Sequence, residues 1–155
     1  MLKPHLVVET GSYQAHTSTQ LALALRENAN AGFPGRLLTF ETDAGRAEFC
    51  AAQLRDLPAE VVNAPCYRHD FGVERVDVAF IDSAYDTRKL DMMFLTPIMS
   101  AMGVMFLHDM SLQGEWKGEL ANFVTGKFNA VQFATPRGLW ALQPRGGLWS
   151  YGRAL

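Results

Sequence analysis

The sequence predicts a three-layer α/β domain with a mostly parallel central sheet, and three observations support this prediction. Two short apolar runs, residues 76–81 and 103–107, are typical of strands buried on both faces of a parallel sheet. Helical and strand-like segments alternate along most of the chain, which favours parallel pairing through right-handed crossovers. Near the end, runs 130–134 and 139–143 flank the turn residues 135–138, which predicts a hairpin and an antiparallel finish to the sheet.

Local signals place each element in order. Thr17 or Ser18 is a suitable N-cap for the first helix, because a hydroxyl accepts a hydrogen bond from a first-turn N–H. Asn, Gly and Pro within residues 30–35 return the chain to the second strand, and Pro58 ends the second helix. The predicted strands are residues 6–9, 36–40, 60–63, 76–81 and 103–107, followed by the hairpin, and the predicted helices are residues 19–28, 44–54 and 88–99.

Composition limits the classes of protein to which the chain can belong. With 155 residues, 48% apolar and 19% charged, it fits one globular domain, residues 1–155, that buries about two-thirds of its unfolded surface. The formal net charge of −2 provides no basic field for nucleic acid. No signal peptide is visible, and the longest uncharged run, residues 92–107, is too short for a membrane helix. Because Cys50 and Cys66 lack zinc-site spacing, they are interpreted as reduced thiols of a cytoplasmic protein.

Four acidic residues lie where predicted strands end. They are Glu9, Glu41, Asp82 and Asp109. The ligand crevice of an open α/β sheet lies outside the carboxyl ends of its strands. These four carboxylates therefore indicate a binding site along that edge.

These motifs, in their order and spacing, resemble those of class I S-adenosylmethionine-dependent methyltransferases, especially the small O-methyltransferase-like branch. The similarity covers residues 6–143, and it implies a Rossmann-like methyltransferase fold. Its motifs are ETGSYQAHTST at residues 9–19, TFETD at 39–43, VDVAFIDSAYD at 76–86, GVMFLHDM at 103–110 and the hairpin NAVQFATPRGLWALQP at 129–144.

The resemblance also implies a set of S-adenosylmethionine contacts. Gly11 allows close backbone approach because it has no side chain, and a carboxylate such as Glu41 can accept two hydrogen bonds from a ribose diol. Acidic groups at Glu9 and Asp82 suit the cationic sulfonium and amino groups. The implied cofactor-binding residues are Glu9, Gly11, Ser12, Tyr13, Ala15, Thr17, Ser18, Glu41 and Asp82.

The chain departs from the family pattern in two ways. Ala15 stands where the family usually has a second loop glycine, and alanine restricts the backbone there. The helices that usually precede the first strand are absent. The chain is therefore either a trimmed domain, or its acceptor site is open or completed by a partner.

Asp82 and Asp109, at the ends of the fourth and fifth predicted strands, mark the place where catalytic groups are expected, and more than one role is open for the residues there. His108, next to Asp109, is a candidate base for an acceptor hydroxyl, and the alternative is a packing histidine. Related O-methyltransferases bind a divalent cation such as Mg²⁺ at the positions of Asp82 and Asp109, although Met110 replaces the usual third oxygen ligand. In the other alternative, Asp82 holds the cofactor or caps a helix while Asp109 bonds to loop amides.

We therefore expect transfer of a methyl group from S-adenosylmethionine to an oxygen of a small molecule. The short N-terminus and the apolar tail, residues 146–152, make a homodimer plausible. Two other functions remain open: a degenerate methyltransferase-like interaction module, and an NAD-dependent oxidoreductase, which also places an acidic residue after its second strand.

Overall fold

The computed structural model describes residues 2–110 and 115–145. Within these ranges the chain forms one seven-stranded sheet with four α-helices around it. The strands are β1 (Leu6–Thr10), β2 (Arg36–Phe40), β3 (Ala59–Val62), β4 (Val76–Ile81), β5 (Met99–His108), β6 (Phe128–Phe133) and β7 (Leu139–Pro144). The helices are α1 (His16–Asn30), α2 (Ala44–Leu54), α3 (Tyr85–Leu95) and α4 (Glu115–Lys127), and short 3-10 turns span Cys66–Arg68 and Thr96–Ile98.

The strands lie in the order β3-β2-β1-β4-β5-β7-β6. The first five pair in parallel, whereas β7 runs antiparallel to both β5 and β6. The predicted mostly parallel sheet with a final antiparallel hairpin is therefore confirmed. The chain reverses its direction of travel across the sheet between β1 and β4, and such a switch point opens a ligand crevice at the carboxyl ends of the strands.

Helices cover both faces of the sheet, as predicted. Successive residues of a strand point to opposite faces: Val7 joins the cluster under α1 and α2, whereas Val8 joins the cluster under α3 and α4. The first cluster also contains Leu25, Leu37, Cys50, Leu54 and Val78, and the second contains Leu38, Ile81, Met92, Leu95, Met105, Leu107, Leu120 and Val124.

The bounds of β2, α2 and β4 agree with the prediction, but the start of α1 does not. This helix begins at His16, its N-cap is Ala15, and no side chain caps it. The prediction that Thr17 or Ser18 caps the helix was wrong, because the Ser18 hydroxyl donates a hydrogen bond to the buried Glu9 instead.

The second half of the sheet differs more from the prediction. Helix α3 begins at Tyr85 and ends at Leu95, and β5 starts at Met99, before the predicted start at residue 103. Helix α4 was not predicted at all. Its glycines, Gly118 and Gly126, weaken the helical signal.

Two further expectations concern the environment of the protein. Cys50 and Cys66 are both free and buried, as interpreted from the sequence. Among the described residues, we find no helix with the length and apolar character needed to cross a bilayer. The apolar tail, residues 146–152, lies outside the described residues.

Candidate active site

A cavity of about 670 Å³ opens at the carboxyl edge of the sheet, within the usual size range of small-molecule sites. It lies at the ends of β1, β2, β4 and β5, and the turn of the β6–β7 hairpin also borders it. The predicted site residues that line it are Gly11, Tyr13, Glu41, Asp82, His108 and Asp109. The predicted residues that do not line it are Glu9, Ser12, Ala15, Thr17 and Ser18.

Gly11 directly follows β1 and lines the cavity. Its φ angle is 88°, a left-handed conformation, and its N–H donates to the Phe40 carbonyl at 2.8 Å. A Cβ atom on this residue would lie 2.5 Å from the carbonyl oxygen of Asp82. The predicted need for a residue without a side chain thus has a further cause, which is the close packing of two strand ends.

Glu41 is held by the backbone around it. Its Oε2 accepts the Tyr13 N–H at 3.0 Å and its Oε1 accepts the Asp43 N–H at 3.0 Å. The Asn63 side-chain amide donates to the Glu41 carbonyl at 2.9 Å. Each carboxylate oxygen has more than one lone pair, so Glu41 keeps acceptor capacity toward the cavity.

Glu9 was expected to contact the cofactor, but it is buried and does not line the cavity. It is 1% exposed, and it accepts hydrogen bonds from the hydroxyls of Ser18 and of Thr39, the latter at 2.6 Å. Burial raises its pKa to about 7, although both hydroxyls oppose the shift. Glu9 therefore braces β1, β2 and α1 behind the cavity, and it does not present a full negative charge to a cationic ligand at neutral pH.

The loop after β1 holds two non-glycine residues in the left-handed conformation. They are Tyr13, with φ 48°, and Ala15, with φ 60°. Such a conformation costs an alanine about 1–2 kcal/mol. Ala15 nevertheless packs its methyl group in the core cluster with Val7 and Leu25. The substitution for the usual glycine is thus accommodated in the core and does not project into the cavity.

Arg88 links the ends of β4 and β5, a role for which the sequence carries no signal. Its side chain is 3% exposed, and its Nη2 donates to Asp82 Oδ1 at 3.0 Å. Its other nitrogens donate to the carbonyls of Ser83 and His108 at 2.7 and 2.5 Å. The Tyr85 ring stacks against the guanidinium at 4.4 Å. A buried charge with so many donors fixes the relative position of the two strand ends.

His108 lies between the two acidic strand ends. Its Nδ1 is 3.1 Å from Asp82 Oδ2 and 3.2 Å from Asp109 Oδ1. A neutral imidazole that donates through Nδ1–H has its lone pair on Nε2. Two carboxylates therefore hold the imidazole in place, and its ring also packs against Phe80, with 5.9 Å between the ring centroids. The role of His108 as a base stays a prediction.

Asp109 is paired with a residue from the terminal hairpin. Arg137 donates from Nε to Oδ1 and from Nη2 to Oδ2, both at 2.5 Å. The alternative that Asp109 bonds to loop amides stays a prediction, because the loop residues 111–114 lie outside the described residues. Burial raises the pKa of Asp109, but the Arg137 hydrogen bond and the electrostatic effects of the nearby His108, Arg137 and Arg88 side chains outweigh burial and leave that pKa below its ordinary value.

The pKa of Asp82 is shifted in the opposite direction from the pKa of Asp109. Burial raises its pKa above the ordinary value, against the lowering effects of His108 and Arg88.

On α3, the Asp91 carboxylate also lines the cavity, and it accepts hydrogen bonds from Cys66 Sγ at 3.0 Å and Ser83 Oγ at 2.5 Å. Asp91 therefore braces the loop after β4, a role for which the sequence carried no signal.

Comparisons with known proteins agree with this architecture. A family model described as a methyltransferase domain matches residues 8–110. The O-methyltransferase TomG from Streptomyces achromogenes, involved in tomaymycin synthesis and solved in complex with S-adenosylmethionine, is 16% identical with a TM-score of 0.73, and the alignment covers 93% of this chain and 74% of that one.

Two other solved structures share the fold. The Podospora anserina methyltransferase PaMTH1, bound to S-adenosylhomocysteine, is 13% identical with a TM-score of 0.68, over 92% of this chain and 73% of that one. An rRNA methylase from Streptococcus thermophilus is 15% identical with a TM-score of 0.68, over 92% and 88%. A comparison with curated proteins gave no significant match.

The match to the methyltransferase domain covers most of the chain, including the motifs at the ends of β1, β2, β4 and β5. It supports neither a nicotinamide-dependent oxidoreductase nor an unrelated α/β fold. The chain belongs to the methyltransferase domain family, and it is a class I S-adenosylmethionine-dependent methyltransferase.

Proposed function

We propose that this methyltransferase methylates an oxygen atom of a small-molecule acceptor bound in the cavity beside His108. The observation that carries the proposal is the environment of His108, whose Nδ1 lies within 3.2 Å of two carboxylates at the cavity wall. This arrangement orients an imidazole to accept the proton of an acceptor hydroxyl.

The residues present fit S-adenosylmethionine. A volume of about 670 Å³ is large enough for a cofactor together with a small acceptor. Glu41 has spare acceptor capacity for the two ribose hydroxyls, and Ala64, Pro65 and Tyr67 line the cavity farther along the same edge, where an adenine ring would lie. Gly11 and Tyr13 would hold the methionine part, and Asp82 the amino group.

When bound, the cofactor supplies an electrophilic methyl group on its sulfonium. In a transfer of that methyl group to the acceptor oxygen, His108 Nε2 would take the proton of the acceptor hydroxyl. Asp82 and Asp109 hold the imidazole through Nδ1 and stabilise the positive charge that it gains. Most of the rate enhancement is expected to come from alignment of the two reacting groups by the cavity walls.

A Mg²⁺ ion between Asp82 and Asp109 is not part of the proposed mechanism. Arginine side chains bond to both carboxylates, and these contacts compete for the oxygen atoms that the ion requires. The acceptor end of the proposed site therefore consists of protein groups alone.

We also propose that residues 1–155 form one domain that acts in the cytoplasm as a homodimer. The free thiols of Cys50 and Cys66 support a reducing compartment. The proposal of a dimer is based in part on the apolar character of residues 146–152, which lie outside the described residues. Sedimentation of the purified protein would show a mass twice that of one chain if the dimer forms.

Calorimetric titration with S-adenosylhomocysteine tests the cofactor site. We expect micromolar binding to the wild type and at least about a tenfold loss of affinity in Glu41→Ala. Glu48→Ala is the matched control, because Glu48 is an exposed residue of the neighbouring helix α2, and its affinity should equal that of the wild type. Absence of binding to the wild type would contradict the proposed cofactor site.

Transfer of a tritiated methyl group then tests the acceptor. Phenols, catechols and other small hydroxylated molecules are assayed beside ribosomal RNA. The proposal requires an O-methylated small molecule as product. Label that appears in the RNA and in none of the small molecules would overturn the acceptor class while leaving the methyltransferase assignment intact.

A further inference from the structure

The cluster at the acceptor end of the cavity has the spacing of a metal site. One possible ligand atom from each of Asp82, His108 and Asp109 lies within 4.8 Å of the others. We propose that Arg137 is the resident cation of this cluster, and that its guanidinium takes the place of the divalent metal that the resemblance to O-methyltransferases implies. The inference concerns the cluster itself and holds whatever the acceptor is.

The pair between Arg137 and Asp109 occupies both oxygens of the carboxylate. Nε and Nη2 of the guanidinium each donate one hydrogen bond of 2.5 Å, to Oδ1 and Oδ2 respectively. Such bidentate, charge-assisted pairs are among the strongest hydrogen bonds in proteins. The Asp109 side chain is only 6% exposed, so solvent competes little for its oxygens. A metal ion would have to break this pair in order to bind Asp109.

The second carboxylate is also engaged at both oxygens. Asp82 accepts from Arg88 Nη2 at 3.0 Å through Oδ1, and it contacts His108 Nδ1 at 3.1 Å through Oδ2. Two aspartates thus face two guanidinium groups, which balances their formal charges. A divalent ion that displaced Arg137 from Asp109 would replace one positive charge with two and upset this balance, and Mg²⁺ also demands near-octahedral geometry.

The fold delivers Arg137 to this position through backbone contacts. Leu139 of β7 pairs with His108 of β5, so the hairpin turn lies directly over the end of β5. The Met110 N–H donates to the Gly138 carbonyl at 3.2 Å, and the Gly138 N–H donates to the Thr135 carbonyl at 3.1 Å. The turn that carries Arg137 is therefore docked on the segment that carries Asp109, and its backbone positions the Arg137 side chain, which is itself 62% exposed.

Binding of Mn²⁺, a paramagnetic substitute for Mg²⁺, tests the proposal without any need for an acceptor. The free Mn²⁺ signal is measured by electron paramagnetic resonance while each protein is titrated, with and without S-adenosylhomocysteine. The proteins are the wild type, Arg137→Ala, Arg137→Gln and the double variant Arg137→Ala/Asp109→Asn. The control is Arg145→Ala, because Arg145 is an exposed residue just after β7 that donates to the Phe128 carbonyl at 3.3 Å, and no carboxylate of the described residues pairs with it.

The proposal predicts negligible Mn²⁺ binding to the wild type and to Arg145→Ala. Both Arg137 variants should bind the ion at least about tenfold more tightly, and Asp109→Asn should abolish that gain. Wild-type binding as tight as that of Arg137→Ala would overturn the proposal, because the guanidinium would then be displaced easily. Failure of both folded Arg137 variants to bind Mn²⁺ would overturn it as well, because the ligand set and not Arg137 would then exclude the ion. Neither result depends on methyl transfer.

Discussion

Gly11 lies so close to the backbone of Asp82 that there is no room for a side chain on Gly11. A Cβ atom at Gly11 would be 2.5 Å from the Asp82 carbonyl oxygen and 2.9 Å from its carbonyl carbon. The contact joins the ends of β1 and β4, where the order of strands reverses. The same glycine therefore serves both the packing of the sheet and the wall of the cavity.

This contact predicts a large effect of Gly11→Ala. Gly32 offers a matched control, because its φ angle is 87°, nearly that of Gly11, but a Cβ there would meet nothing within 4 Å. Gly32→Ala should cost about 1–2 kcal/mol, the strain of a left-handed alanine. Gly11→Ala should cost at least about 3 kcal/mol, because overpacking adds to that strain. Urea unfolding measures both costs, and equal values would contradict the role of the Asp82 contact.

The buried ion pair of Arg88 predicts a second difference in stability. Arg88→Met removes the donor to Asp82 Oδ1 and to the His108 carbonyl, and leaves Asp82 with the His108 imidazole as its partner. We expect the free energy of unfolding to fall by about 3–5 kcal/mol.

Arg75 provides the comparison for Arg88. It is exposed and donates to the Pro97 carbonyl at 2.9 Å, so Arg75→Met should cost less than about 1 kcal/mol. Chemical denaturation of the two variants under the same conditions separates the effects. A cost for Arg88→Met as small as that for Arg75→Met would show that water replaces the lost donor.

His108→Ala should separate cofactor binding from transfer. His108 is not among the residues proposed to hold the cofactor, and Asp82 keeps its bond to Arg88 when the imidazole is removed, so the affinity for S-adenosylhomocysteine should stay within about twofold of the wild type. Methyl transfer should fall by about 10²–10⁴, the usual contribution of a general base. Calorimetry and tritium transfer measure the two quantities. His5→Ala, at an exposed site before β1, should change neither, and an unchanged transfer rate in His108→Ala would remove the histidine from the mechanism.

The sequence predicts the parts of this fold that local patterns encode. Apolar runs that stop on an acidic residue gave the position of β4 and the carboxylates Glu41, Asp82 and Asp109 at the cavity edge. The turn residues 135–138 gave the hairpin. These signals depend on neighbours in the chain, and the structure preserves them because the carboxyl ends of parallel strands share one edge.

Contacts between distant segments were not predictable in the same way. Arg137 is separated by 28 residues from Asp109, to which it bonds, and a single arginine in a turn is usually an exposed charge. Arg88 looked like an ordinary helix residue, because only the packing of α3 against the sheet buries it. Glu9 lies in the motif expected for cofactor binding, but its side chain bonds to Ser18 of α1 and does not line the cavity.

The buried position of Glu9 predicts how stability depends on pH. Its pKa rises from the ordinary 4.5 to about 7 in the folded protein, chiefly because of burial, so folding favours the protonated form. This contribution is fully present below the unfolded pKa and is lost as the pH rises through about 7. From about pH 5 to about pH 8, the wild type should lose about 2–3 kcal/mol of unfolding free energy that Glu9→Gln retains.

The measurement is urea unfolding of wild type and Glu9→Gln at both pH values, which cancels the titration of the other carboxyl groups in the difference. Glutamine keeps an oxygen that can accept from Ser18 and Thr39, so the variant removes the titration with little change of shape. Glu48→Gln, on the exposed face of α2, should follow the wild-type curve. Parallel curves for wild type and Glu9→Gln would mean that Glu9 is ionised in the folded protein at both pH values, and its hydroxyl partners would then be stabilising a buried carboxylate.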